Sequence, residues 1–260
     1  MGRFSLKCFG VGDGWACADR NHASFLYQFG KTSILVDCGE SVSRSFKCSG
    51  LPSDTIDHIF LSHLHSDHTG GFNMFIQALW LEQRKKQLQV HMPAEGINPL
   101  RHMLRTAYIF DELLNFRLRF EPLRAGRSVA AGEVHVTPFH TTHLERLRAA
   151  FHKRYPQKFE AFCFLMEAGK LRVGHSADLG SPDDLAPLLA KPLDLLVCEL
   201  AHFEPADLFD YLRGREIKRI AFVHLAGPFW KNLKKTRQLA AKMLPDIEIS
   251  FPSDQEEISF

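Results

Sequence analysis

Cysteine is present but never in the C-x-x-C spacing of a zinc ribbon or redox motif. The six residues, Cys8, Cys17, Cys38, Cys48, Cys163 and Cys198, are scattered along the chain. Cys8, Cys38, Cys163 and Cys198 sit in apolar, strand-like runs, and we expect small reduced core residues, neither disulfides nor zinc thiolates. An excess of one charge is also missing. With 32 Lys and Arg against 30 Asp and Glu the formal net charge is +2, which argues against a general nucleic-acid coat protein. No apolar run approaches the roughly 20 residues of a membrane span, and the Met1 end has no charged-then-apolar leader. The expectation is a soluble cytoplasmic protein with no membrane association. Repeats, low-complexity tracts and linkers are lacking too. Only three residues are Trp while 22 are Phe; that enriches a core and says nothing about chemistry. A chain of 260 residues, 45% hydrophobic, can build one large core or at most two small domains.

Against this plain background Leu61–Gly71, L-S-H-L-H-S-D-H-T-G-G, stands out. His63, His65, Asp67 and His68 crowd into it. Imidazole nitrogen and carboxylate oxygen suit zinc and its first-row neighbours. His58 to Ser62 reads as a short buried strand, and the chain turns helical after the two glycines. A strand end running into a glycine turn is where an α/β protein keeps its site. His63 and His65 are two apart and point the same way in extended chain, while Asp67 and His68 follow where the chain turns. Four ligands in so short a loop suit two metals side by side better than one tetrahedral centre. The competing reading, a solvated loop that binds nothing, sits badly with the density of the pattern and the glycines after it.

Other strand ends carry polar residues. Phe4–Phe9 is expected to be a strand, broken by Gly10-Val11-Gly12-Asp13-Gly14. No Lys-Ser/Thr follows and no helix opens, so a phosphate-binding P-loop is a poor match and a loop near the mouth of the site a better one. Ser24–Phe29 and Thr32–Val36 form a hairpin around Gly30-Lys31, closed by Asp37-Cys38-Gly39. Phe72, Phe75, Ile76 and Leu79 recur at helical spacing, so Phe72–Lys86 is expected to be a helix with Arg84-Lys85-Lys86 as its solvated end. A helix from about Ile97 to Ile109 follows, and His91 and His102 are taken as non-ligands. Val134–Phe139 is a strand ending in His140-Thr141-Thr142-His143. Leu171–Gly174 runs into His175-Ser176-Ala177-Asp178-Leu179-Gly180, with His175 structural. Leu193–Cys198 runs into Glu199-Leu200-Ala201-His202, and Ile220–Val223 into His224. Helices are expected over Pro182–Ala190, Pro205–Leu212 and Trp230–Leu244.

H-x-H-x-D-H followed by T-G-G resembles the metallo-β-lactamase superfamily, and the later strand ends extend the likeness over nearly the whole chain. The layout is most similar to the ribonuclease Z and cyclic-phosphate phosphodiesterase branch. The resemblance implies an α/β fold of four-layer αββα sandwich type and a single hydrolase domain over 1–260. It implies that His63, His65 and His143 hold one metal, that Asp67, His68 and His224 hold another, and that Asp178 bridges them. A carboxylate has two oxygens and can span cations about 3.5–4 Å apart. It places Asp37 in support of the histidine loop, where a carboxylate can accept hydrogen bonds from that loop and fix its shape. It prefers His143 to His140 as ligand, because Pro138-Phe139 fixes the count, and leaves His140 to the pocket. Glu199 matches the glutamate that helps a histidine act as acid, and His202 is the candidate it would help; Asp67 is assigned to catalysis as well as to metal.

The cofactors implied are two divalent ions, zinc first, with manganese or iron as alternatives. They would lower the pKa of a shared water so that a bridging hydroxide exists near neutral pH. Leu144–Lys158 departs from the family. It begins beside His143 and carries Arg146, Arg148, Lys153, Arg154 and Lys158, either a solvated surface helix or cations that receive an anionic group. The expected function is therefore a phosphodiesterase acting on a small anionic substrate, a phosphodiester or nucleotide, with an RNA end also admitted. A ribonuclease Z-like nuclease, a lactonase or thioesterase, and a non-enzymatic metal-binding protein are the alternatives. Residues His143 to Asp178 leave no room for the long transfer-RNA-gripping arm of ribonuclease Z. A homodimer is admitted as the assembly.

Overall fold

The structure, a computed structural model, describes residues 4–259; the Met1 end, read above for a leader, lies outside them. Fourteen strands form in chain order: β1 (Phe4–Gly10), β2 (Ser24–Phe29), β3 (Thr32–Val36), β4 (His58–Phe60), β5 (Leu88–Met92), β6 (Leu118–Pro122), β7 (Val129–Ala131), β8 (Val134–His140), β9 (Phe162–Ala168), β10 (Leu171–His175), β11 (Leu195–Leu200), β12 (Arg219–Leu225), β13 (Glu248–Ser250) and β14 (Glu257–Ser259). They make two sheets of seven, in the orders β14-β1-β2-β3-β4-β5-β6 and β13-β12-β11-β10-β9-β8-β7. The helices are α1 (Val42–Cys48), α2 (Ser66–Thr69), α3 (Phe72–Leu81), α4 (Ile97–Thr106), α5 (Glu145–Phe151), α6 (Pro205–Leu212), α7 (Gly227–Lys231) and α8 (Leu233–Met243). The class is mixed α/β, as expected.

The chain divides into two compact units. One comprises Met1–Leu123, Ala131–Glu133 and Ser253–Phe260, the other Arg124–Ala130 and Val134–Pro252. In the first, β3, β4, β5 and β6 run parallel. Phe72, Phe75, Ile76 and Leu79, the apolar stripe of α3, are buried with Leu35, Ile59 and Val90. In the second, β10, β11, β12 and β13 run parallel. Leu208, Phe209 and Leu212 of α6 are buried with Leu196, Cys198 and Phe222. Parallel strands covered on both faces read as continuous apolar runs, and every residue of β11 is buried. Asp37 and the histidine loop follow the carboxyl ends of β3 and β4. Asp178, Glu199 and His224 stand at or after those of β10, β11 and β12. Ligands of open α/β sheets gather at such ends.

Several expectations are corrected. Helix α3 stops at Leu81, and Arg84 is no solvated end but fully buried. Its guanidinium donates to the carbonyls of Ser53 at 2.5 Å, Ile56 at 2.6 Å and Gln87 at 3.0 Å. Three converging carbonyls outweigh the pull of water on the charge, and burial lowers its pKa to about 10. The helix expected over Pro182–Ala190 is two 3-10 turns, Pro182–Leu185 and Leu188–Ala190; Pro187 supplies no N–H to continue the first. Asn232 interrupts the last helix, dividing α7 from α8. In the basic segment only Glu145–Phe151 is helical, and none of it is buried. Among the described residues no helix is long and apolar enough to cross a membrane.

Candidate metal centre

In the first unit the histidine loop is fixed from behind by Asp37, which is fully buried. One carboxylate oxygen accepts the backbone N–H of Ser62 at 2.8 Å. The other accepts the Ser62 hydroxyl at 2.9 Å and Nδ1–H of His68 at 2.7 Å. With its hydroxyl proton given to Asp37, Ser62 Oγ is free to accept from His63 Nδ1, 3.1 Å away. Both imidazoles then carry their proton on Nδ1 and turn Nε2 outward as the donor atom, the usual device for orienting a metal-binding histidine. The rings of His63 and His65 lie 4.7 Å apart and those of His63 and His68 4.1 Å apart. Asp67 Oδ2 is 3.3 Å from His68 Nε2. The glycines close the loop. Gly71 N donates to Cys38 O at 2.9 Å, and a Cβ at Gly71 would fall 2.2 Å from the carbonyl oxygen of Gly39. No side chain fits there.

In the second unit Asp178 is 3% exposed and His224 4%. Asp178 Oδ2 lies 3.5 Å from His143 Nε2, and its Oδ1 lies 3.5 Å from His224 Nε2. The two oxygens thus face two different imidazoles. Glu199 is buried behind them. It accepts the N–H groups of Leu179 and Ala201, both at 2.8 Å, and of His202 at 3.2 Å. Its Oε1 also accepts from His202 Nδ1 at 2.8 Å. His202 is consequently held with Nε2 3.9 Å from Asp178 Oδ2, its ring 4.8 Å from that of His143.

Among the described residues, two sets of side chains could each hold a metal ion: His63, His65, His143 and Asp178, and Asp67, His68, Asp178 and His224. Within each set the donor atoms all lie within 4.8 Å of one another. The sets contain the same seven residues assigned to metal above. Their chemistry fits a divalent first-row ion: imidazole and carboxylate, no thiolate, and histidine tautomers preset by Asp37 and Ser62.

The remaining expected site residues join neither set. His140 ends β8, exposed and stacked on Phe162 with ring centres 4.7 Å apart. Arg146 and Arg148 are exposed on α5, and Arg148 is bonded to Glu145 at 3.0 Å. Two supporting residues escaped the sequence. Ser62 is one. Asp184 is the other: its Oδ2 accepts Thr142 N at 2.9 Å, Thr142 Oγ1 at 3.0 Å, Gly180 N at 2.9 Å and Ser181 N at 3.2 Å. One carboxylate therefore ties the loop carrying His143 to the loop carrying Asp178. The S-P-D-D run of Ser181–Asp184 is a capping-box pattern, and that signal marks Asp184 as an acceptor of backbone N–H groups.

The chain is similar to several known proteins. Ribonuclease Z of Archaeoglobus fulgidus is 30% identical over 141 residues, 54% of this chain and 45% of its own length. Ribonuclease Z of Porphyromonas gingivalis is 37% identical over 97 residues, 37% of this chain and 32% of its own. The matched region spans less than half the length of these curated relatives. Among solved structures, the metallo-β-lactamase fold protein YhfI of Bacillus subtilis superposes with a TM-score of 0.78 at 18% identity, covering 99% of this chain and 100% of its own. The short form of human tRNase Z superposes at 0.73 with 17% identity, covering 98% of each chain. At such identities the likeness shows the fold, and the fold is that of the metallo-β-lactamases. The family described as "Anti-Pycsar protein Apyc1" matches residues 4–186, and this chain belongs to that family.

Proposed function

We propose that the chain is a metal-dependent phosphodiesterase acting on a small phosphodiester or nucleotide, its 260 residues working as one hydrolase domain. The observation that carries this reading is Asp178, common to both donor sets, with a different imidazole against each of its oxygens. Zinc is the ion we assign first, with manganese or iron as alternatives. When bound, such a pair of ions would supply a water of lowered pKa and counter-charge for the phosphoryl oxygens. In this reading His63, His65 and His143 hold one ion, Asp67, His68 and His224 the other, and Asp178 both; Asp67 also faces the reacting group.

The rest of the chemistry belongs to the chain. Hydrolysis adds water to phosphorus and breaks a P–O bond, and the departing alkoxide needs a proton. We assign that proton to His202. Its Nδ1–H is held by Glu199 at 2.8 Å, which fixes the ring and stabilises the imidazolium, leaving Nε2–H toward the leaving oxygen. Its side chain is 36% exposed, so solvent can reprotonate it between turnovers. Arg146 and Arg148, on the exposed helix that begins beside His143, are assigned to the anionic substrate. The family name supplies the setting, an anti-Pycsar role, and the site supplies the chemistry. The proposed assembly is a homodimer and the proposed compartment the cytoplasm.

The test is a panel of phosphodiesters and lactones assayed with zinc, manganese or iron added. Turnover of phosphodiesters alone is expected. Lactone turnover without phosphodiester turnover refutes the assignment. Arg148→Ala should weaken an anionic phosphodiester more than a neutral ester, and equal effects remove the arginine from the substrate site.

A further inference from the structure

Helix α5 has seven residues and none is buried, not even Ala149 and Ala150. In water a lone helix needs about 12–15 residues to hold its shape, and shorter ones draw their stability from burying a face. This helix is anchored at its start. Leu144 before it is buried, and Glu145 N donates to Thr142 O at 3.0 Å. From there α5 stands out into solvent, beginning two residues after His143, with a face left to cover.

That face is apolar. Leu147, Phe151 and Tyr155 are 40%, 39% and 52% exposed. They recur every fourth residue, which puts them on one side of a helix. Tyr155 N donates to Phe151 O at 3.0 Å, which carries the helical spacing past the end of α5, and the two rings meet with centres 6.2 Å apart. The charge around this ridge has one sign. Residues 144–158 hold Arg146, Arg148, Lys153, Arg154 and Lys158 against Glu145 alone, and Glu145 is bonded to Arg148 at 3.0 Å. Exposed apolar residues elsewhere lack this setting: Tyr108, Phe110 and Leu113 lie beside Asp111 and Glu112.

We propose that the ridge of Leu147, Phe151 and Tyr155 docks on an anionic lipid surface, with Lys153 and Arg154 on the headgroups. An apolar face edged by Lys and Arg is the pattern of a helix that lies in a membrane interface. The aliphatic stems of Lys153 and Arg154 can follow the apolar ridge inward while their charges stay in water, and Tyr155 has a ring for the acyl boundary and a hydroxyl for the headgroups. The shape favours lipid over an acidic protein. A helix exposed on every side is convex, so a protein would have to bring a matching groove, whereas a lipid surface deforms around it. Such contact needs no spanning helix, and none is present among the described residues. It departs from the expectation of no membrane association, which rested on the lack of a span and a leader. It suits the proposed cytoplasmic compartment, because the cytoplasmic leaflet is the anionic one.

The test is sedimentation of the full chain with vesicles, a binding measurement that stands whether or not the chain hydrolyses phosphodiesters. Vesicles of phosphatidylglycerol and phosphatidylcholine in equal parts should carry the protein down, and pure phosphatidylcholine should not. Raising NaCl to about 0.5 M should release most of it. Phe151→Ala should lower partitioning about tenfold, and the pair Lys153→Gln with Arg154→Gln by about tenfold or more at low salt. Arg146 and Arg148, assigned to the substrate, are left unaltered. All the altered side chains are exposed, and unchanged urea melts would verify that the fold is kept. Phe151→Trp should bind as wild type does and be quenched by brominated lipid more strongly than wild type, whose own Trp residues lie off the ridge. Failure to sediment with anionic vesicles overturns the proposal, as does equal binding to pure phosphatidylcholine or binding that survives both sets of substitutions. Retention on immobilised poly-L-glutamate without vesicle binding overturns it too, and assigns the ridge to an acidic protein.

Discussion

Asp184→Ala tests how the two ligand loops of the second unit are held. The carboxylate accepts four hydrogen bonds on one oxygen, from Thr142 N, Thr142 Oγ1, Gly180 N and Ser181 N. Bonds to a charged acceptor contribute about 1.5–3 kcal/mol each, and a buried N–H left without a partner costs about 1–3 kcal/mol. The four share one oxygen and do not add, and water can reach Thr142 and Ser181 once the carboxylate is gone. A loss of about 3–4 kcal/mol in unfolding free energy is therefore expected, measured by urea denaturation in excess chelator so that metal does not contribute. The effect on metal is separate. Thr142 precedes His143, and Gly180 follows Asp178 by two. Gly180 also packs so tightly on Thr142 that a Cβ there would fall 2.3 Å from its carbonyl carbon. Releasing this clasp lets both ligands drift, and supporting residues of this kind alter metal affinity by about 10–100-fold. Competition with a chromogenic chelator should show that loss in Asp184→Ala and only a small one in Asp184→Asn, which keeps an acceptor. A destabilised variant that binds metal as tightly as wild type would falsify the clasp and reduce Asp184 to a helix cap.

Three other outcomes are expected. Asp178→Ala should lose both ions, because each donor set includes it; two equivalents retained by elemental analysis refute the bridging role. Arg84→Met should cost about 3–5 kcal/mol in urea melts, since it strands three carbonyls, that of Ile56 buried, and Arg84→Lys should not rescue it, lacking the fork that reaches all three; melts within error of wild type would show that water replaces the guanidinium. His91 and His58 form a buried pair, His91 Nε2 to His58 Nδ1 at 3.1 Å, and burial pushes His91 down to about 3. The folded protein then resists the proton that the unfolded chain takes up near 6.5, so this contribution is intact above about pH 6.5 and is lost as pH falls toward about 3. His91→Gln should flatten the acid limb of a Tm–pH curve by a few kcal/mol equivalent, and an unchanged limb refutes the assignment.

What could be read from the sequence follows a physical line. The residues of the two candidate donor sets were legible because their spacing is local: His63, His65, Asp67 and His68 fall in one loop, and Asp178 and His224 each stand where an apolar run ends. The hairpin of β2 and β3 and the buried stripe of α3 were legible for the same reason, since the periods of strand and helix are written in neighbouring residues. Features decided by distant partners were not. Arg84 follows a helix and precedes two lysines, so it reads as solvated. Its three carbonyls come from Ser53, Ile56 and Gln87, two of them about thirty residues away. The His58–His91 pair joins strands 33 residues apart. Asp184 reads as part of a helix start and is one, yet the same oxygen also binds Thr142, 42 residues upstream.

Backbone strain shows what the site demands of those strand ends. Asp37, Ala177 and His224 have φ of 61°, 45° and 51°, left-handed values at non-glycine residues. Asp37 immediately follows a parallel strand, His224 is the penultimate residue of one, and Ala177 lies one residue before Asp178. The conformation costs an L-residue about 1–2 kcal/mol, and glycine would adopt it without that cost. At Asp37 glycine would forfeit the three hydrogen bonds that orient Ser62 and His68. At His224 it would forfeit the imidazole that faces Asp178 Oδ1. A strand alternates its side chains between two faces, and a left-handed residue at its end breaks that alternation and turns the next side chain out of the sheet. The left-handed Ala177 after β10 does this for Asp178. The surrounding hydrogen bonds, Asp37 N to Phe60 O and Ser176 N to Val197 O, both at 2.9 Å, over-determine these turns and hold them against the strain. The stability given up at these three positions is thus tied to side-chain direction, the property that a candidate metal site needs most and that local sequence propensity supplies least.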